Sequence, residues 1–203
     1  MMKKLALVLI AIMLCGIAFA EEKPIDGVGE RMGPPDHQPL VGTWCSTDVG
    51  QSIPDADSGA VVSMLSIPDS EAIDNLDVSV QITHTWIGDL RVLLSKGACN
   101  INLIHRPGIN EDACCGCSGD DIDVVLDDDG ATSVEDSCET GPNGGAQGTF
   151  TPGDPIFLPA AMSDCDGQEL QGDWQLIVTD GAAGDTGTLD GWCMMTGGGG
   201  DGG

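Results

Sequence analysis

From Leu76 to Thr85 apolar and polar residues take turns, with Leu76, Val78, Val80, Ile82 and His84 set against Asp77, Ser79, Gln81 and Thr83. A period of two sends alternate side chains to opposite faces of an extended chain, so this stretch predicts a half-buried β-strand with His84 on its inward set. Trp86 and Gly88-Asp89 break the run, and Leu90 to Ser95 begins a second strand. Ala60 to Ile67, Ile101 to Ile104, Ile122 to Leu126 and Thr188 to Thr196 read as further strands, as does Asp173 to Thr179 with Trp174, Leu176 and Val178 inward. Phe150 to Leu158 is extended but punctuated by proline, which fits an edge.

Turn signals separate these runs at Ile53 to Gly59, Pro68-Asp69-Ser70, Pro107-Gly108, Asp127 to Gly130 and Gly181 to Gly187. Ala131 to Gly148 is a long acidic loop that needs a tether, with Cys138 in place to supply one. Ala160 to Asp164 can form one helical turn, but no helical periodicity persists over ten residues. Short strands at intervals of roughly ten residues predict an all-β jelly-roll barrel or sandwich of about eight strands.

The chain ends read differently. Met1 to Ala20 has the form of a secretory leader: Lys3-Lys4, an apolar run from Leu5 to Ile17, and Ala18-Phe19-Ala20 before Glu21. The apolar run falls short of the ~20 residues of a spanning helix, and Leu14 before Cys15 does not suit a lipoprotein signal. Residues 21–43 form a flexible acidic lead-in, 44–196 the ordered domain and 197–203 a Gly-rich tail. No other stretch is long and apolar enough to span a bilayer, so the mature chain is expected in a secreted or periplasmic setting.

Charge narrows the choice of partner. The formal charge is −26; without Lys3 and Lys4 five basic residues face 33 acidic ones, giving −28. Nucleic acid is excluded, because phosphates would be repelled. Solubility and oxygen ligation of a hard cation such as Ca²⁺ remain as uses for the acids. Behind the leader stand Cys45, Cys99, Cys114, Cys115, Cys117, Cys138, Cys165 and Cys193. An even number in an exported chain points to disulfides rather than zinc, since no His or further Cys stands at a zinc-finger spacing from Cys114-Cys115-Gly116-Cys117. Eight cysteines can pair in roughly a hundred ways.

Two blocks carry a family resemblance. The first is Ile82-Thr83-His84-Thr85-Trp86-Ile87-Gly88-Asp89-Leu90. The second is Gly172-Asp173-Trp174-Gln175-Leu176 with Asp180-Gly181-Ala182-Ala183-Gly184-Asp185-Thr186-Gly187-Thr188-Leu189 and Trp192. They resemble the P domain (Homo B domain) of proprotein convertases and bacterial subtilisin-like proteases, over about Trp44 to Thr196. Ile67-Pro68-Asp69 and Arg106-Pro107-Gly108 look like family positions too. The resemblance implies a galactose-binding-like jelly roll, packed in the convertases on a catalytic domain that it stabilises and whose calcium and pH dependence it tunes. Residues 21–43 are too few for such a catalytic domain, and no Gly-Thr-Ser motif followed by a small residue occurs.

No catalytic residues are therefore expected. His84 is inward by alternation and reads as a hydrogen-bonded core histidine. Trp86, Trp174 and Trp192 read as core. Asp127-Asp128-Asp129-Gly130 with Asp136 hints at an EF-hand loop, but Val125 stands where the first ligand belongs, so a solvated turn is expected. Asp89, Asp180 and Asp185, in Gly-rich turns, are the metal candidates, for calcium; capping of those turns is the alternative role. In a barrel of this kind the first and last strands lie together, so Cys45 is expected with Cys193. Cys117–Cys138 would tether the acidic loop, leaving Cys99 and Cys165 to take Cys114 and Cys115. Two functions follow: a non-catalytic secreted module that binds a partner protein or surface, or a detached accessory domain of a subtilisin/kexin-like serine endopeptidase acting in proteolysis.

Overall fold

The computed structural model describes residues 41–108, 115–138, 144–153 and 160–197. The expected leader, most of the lead-in and nearly all of the Gly-rich tail lie outside the described residues, as do Cys114 and residues 154–158 of the expected edge strand. The chain divides into two units, Met1–His37 and Gln38–Gly203, and the described residues belong to the second.

Among the described residues ten strands follow in order: β1 Gly42–Cys45, β2 Gln51–Ile53, β3 Val61–Ile67, β4 Leu76–His84, β5 Leu90–Lys96, β6 Cys99–His105, β7 Ile122–Leu126, β8 Ala146–Phe150, β9 Gly172–Asp180 and β10 Gly187–Thr196. They form two sheets. One has the order β1-β10-β4-β7-β8, with β2 also on β10; the other has the order β3-β9-β5-β6. All pairings are antiparallel except β7 with β8. This is the all-β sandwich that the alternation predicts.

Each sheet presents its inward set to one core. Leu76, Val78, Val80 and Ile82 of β4 and Trp192 and Met194 of β10 are buried in the first sheet; Trp174, Leu176 and Val178 of β9 and Val92 and Leu94 of β5 are buried in the second. Two of the buried polar groups link the sheets. Trp192 Nε1 donates to Ser63 Oγ at 2.8 Å, joining β10 to β3, and Ser63 Oγ donates to the Asp48 carbonyl. A buried indole N–H without a partner would cost about 1–3 kcal/mol, so this bond fixes how the two sheets meet.

Two strands fall where turns or loops are expected. β2 runs up to Ile53, where the Pro/Asp turn region begins, and β8 occupies the end of the acidic loop. Ala-Gln-Gly-Thr-Phe has no apolar alternation; it is a strand because its backbone pairs in parallel with β7 from Ile122↔Ala146 to Leu126↔Phe150. β6 runs longer than Ile101 to Ile104, and a 3₁₀ turn at Met162–Cys165 sits where a helical turn is expected.

Three disulfides join pairs of described residues. Cys45–Cys193 joins directly paired residues of β1 and β10, and Cys117–Cys138 tethers the acidic loop. Cys99 bonds Cys165, which corrects the expectation that these two take Cys114 and Cys115. The reason is topological: the Met162–Cys165 turn packs against β6, bringing Cys165 to the first residue of that strand. Cys115 is disulfide-bonded as well.

Candidate functional site

Alternation brings two polar residues together at one end of the core. The inward set of β4 closes on His84 and that of β9 on Asp180. The two strands lie in facing sheets, and their side chains meet with no exposure to solvent: His84 Nε2 stands 3.3 Å from Asp180 Oδ2. Trp86 serves the other ring nitrogen, its amide N–H at 3.1 Å and its carbonyl at 3.0 Å from Nδ1. A neutral ring accepts from the N–H and donates through Nε2; a protonated ring donates to the carbonyl instead. Asp180 Oδ1 accepts from Ala182 N at 3.0 Å, holding the turn after β9.

Beside this pair, a 3₁₀ turn at Ile87–Asp89 tucks Asp89 inward. Arg106, at the end of β6 with a positive φ of 61°, donates through Nη2 to Asp89 Oδ1 at 3.4 Å and through Nε to the Gly88 carbonyl at 3.0 Å. Burial, then the nearby Asp180 carboxylate, pushes the Asp89 carboxyl above its ordinary value, and Arg106 pulls it back. The Cys-rich loop closes over the turn: Gly88 N donates to the Cys117 carbonyl at 2.9 Å and Ile87 N to that of Gly119 at 3.0 Å. Gly88 is needed here, since a Cβ would lie 2.3 Å from Cys117 N.

Asp185 is half-buried in the turn before β10 and accepts from Thr85 Oγ1 at 2.9 Å. The three metal candidates thus share one end of the sandwich, and each holds a protein donor. Among the described residues no three His, Cys, Asp or Glu side chains are gathered to hold a metal ion. Trp174 and Trp192 are core as expected, whereas Trp86 is only half-buried, because its indole N–H reaches out to the Cys115 carbonyl at 2.6 Å. His84 is buried and hydrogen-bonded, in line with its place in the alternation. Arg106 is the partner that spacing does not reveal; the sequence marks it only as part of Arg106-Pro107-Gly108 and as one of few bases among 33 acids.

A second group of acids lies at the opposite end of β4. Asp77 is 7% exposed, its Oδ1 has no hydrogen-bond partner among the described residues, and β4–β7 pairing carries it across from Asp127, one step beyond Val78↔Leu126. Burial, then Asp127, Asp128 and Asp129, pushes its carboxyl up from 3.8 to about 6, while its β10 neighbour, Met195, bears no charge. A folded-state value above the unfolded one means that this group favours folding below pH 4 and that the benefit is lost as pH rises through 6. In metal-free buffer Asp77→Asn should therefore be more stable than the parent at pH 7.5, by about 1–2 kcal/mol after solvent screening, and no more stable at pH 4. Urea unfolding at the two pH values measures this.

Residues 135–196, which include the second motif block, match the family model of the proprotein convertase P-domain. No curated protein matches the chain. Among solved structures, the serine protease of Aeromonas sobria is similar at 17% identity and a TM-score of 0.45, over 79% of this chain and 28% of that one. The complex of the Aeromonas sobria serine protease with its chaperone is similar at 15% identity and 0.44, again over 79% and 28%. The chain spans well under a third of the length of these proteins.

Proposed function

We propose that the folded unit is a non-catalytic, secreted or periplasmic P-domain module that works by binding a partner protein, and that the partner is a subtilisin-like serine endopeptidase. The observation that carries this reading is the P-domain match over residues 135–196. The chemistry of the His84 end supports it. His84, Asp180, Asp89 and Arg106 spend their hydrogen bonds on one another and on the backbone of two turns, which is the work of a scaffold. Three disulfides suit an exported chain. Calcium belongs to the same reading as a stabilising ion near Asp89, Asp180 and Asp185. Its support is the burial of the Asp89 carboxyl with the Asp180 and Asp185 carboxylates close by, which together raise it against the pull of Arg106.

The test is to immobilise the purified chain and pass over it a secreted fraction labelled with a fluorophosphonate, which marks active serine hydrolases. Retention of a labelled subtilisin-like protease is expected, with no labelling of the chain itself. Retention of unlabelled proteins alone would leave a general binding module and remove the protease. Labelling of the chain, with inhibitor-sensitive peptide cleavage, would overturn the reading.

A further inference from the structure

The two ends of the sandwich treat their aspartates differently. At the His84 end the carboxylates face Arg106 and His84. At the other end, roughly 23 Å away along β4, only acids act on one another. The charges bearing on Asp77 are Asp127, Asp128 and Asp129, and those on Asp166 are Asp74 and Asp128. Like charges on neighbouring strands are unfavourable, yet Asp77 and Asp127 each stand next to the last β4–β7 pair, Val78↔Leu126.

The oxygens at this end are not equally engaged. Asp128 is spent: its two oxygens accept from Met162 N at 2.7 Å and Ser163 N at 2.9 Å, capping the 3₁₀ turn. Asp127 uses Oδ1 to accept from Asp129 N at 2.8 Å. Asp77 Oδ1 is enclosed, 7% exposed as a residue, and has no hydrogen-bond partner among the described residues. A buried carboxylate oxygen with neither donor nor counter-charge costs more than a neutral polar group, and a bound cation would remove that cost. Carboxylate oxygens, with no His or Cys among these groups, select an alkaline-earth ion, and Ca²⁺ tolerates an irregular shell completed by water.

We propose that Asp77, with the second oxygen of Asp127, forms an open site for a hard divalent cation, Ca²⁺ in preference to Mg²⁺, at the end of the sandwich remote from His84. Asp129 adds charge from the turn. With two carboxylates rather than a closed cage, the affinity belongs in the weak range of extracellular modules, on the order of 0.1–1 mM. The site is independent of the partner protein and of calcium near Asp89.

The experiment is calorimetric titration of the full, disulfide-intact chain with CaCl₂ at constant ionic strength, alongside melting curves with calcium and with chelator. The parent should bind with a submillimolar to millimolar constant and melt a few degrees higher in 10 mM Ca²⁺ than in chelator, roughly as mass action requires. Asp77→Asn and Asp127→Asn should each lose at least tenfold in affinity at this site and the share of the melting shift it supplies, while Asp173→Asn, an exposed change on β9, keeps both. Loss of the response only in Asp185→Asn would move calcium to the other end and overturn the site. So would an unchanged response in Asp77→Asn, or a parent that answers to pH and not to Ca²⁺, since Asp77 and Asp127 would then share a proton instead of a cation.

Discussion

Asp180→Ala is expected to cost about 3–5 kcal/mol of folding stability, the range for removing one partner of a buried charged or strongly polar pair. The carboxylate has no solvent exposure and serves two donors on different elements, His84 Nε2 at 3.3 Å and Ala182 N at 3.0 Å. Truncation strands a buried imidazole donor, frees the turn after β9 and leaves a cavity between the sheets. Water cannot repair this, because Leu90, Leu176 and Val178 around that end are themselves fully buried. His84→Ala should fall in the same range, and the double variant should lose much less than the two single losses together, since both remove one interaction. Urea midpoints of the four proteins measure the coupling. A loss below about 1 kcal/mol, or strict additivity, would mean that the pair does not hold the sheets together.

Trp174→Ala should cost a similar amount, about 3–5 kcal/mol, by cavity formation. Trp174 is completely buried on β9, which pairs with β3 on one side and β5 on the other. Its Nε1 donates to the Leu170 carbonyl at 2.9 Å, and Lys96 Nζ lies 5.0 Å from the ring centre. Trp86→Ala, in a chain otherwise the same, should cost clearly less, because Trp86 is half-buried and gives up one hydrogen bond to Cys115. Thermal melts that rank Trp86 at or above Trp174 would contradict the core as described.

How far the sequence could be read depended on what formed each element. β4, β9 and β10 bury one face, and burial writes a period of two into the chain, so their positions and the inward placement of His84 and Trp174 were legible. β8 is held by backbone bonds to β7, and nothing in Ala-Gln-Gly-Thr-Phe records that partner. Asp180 shows the same limit at the site. Followed by Gly181, it reads as a turn residue, yet alternation from Trp174 carries it one step further inward, to His84. The Cys99–Cys165 bond was out of reach because it depends on a 3₁₀ turn docking against β6, a contact between segments 66 residues apart. Asp77 was legible as a polar position on a strand; that its outer face is covered, and its oxygen unpartnered, only the folded chain reveals.

The staple between β1 and β10 has a mechanical consequence. Gly42 pairs with Thr196, so the chain enters and leaves this unit side by side, on strands that run in opposite directions. A pull on the two ends would peel the strands apart like a zipper, one rung at a time. After Gly42↔Thr196, Thr43↔Met195 and Trp44↔Met194 the peel meets Cys45–Cys193, and the covalent link takes the load. The 147 residues enclosed by that link, which include every strand from β2 to β9, would feel no tension while it stays oxidised.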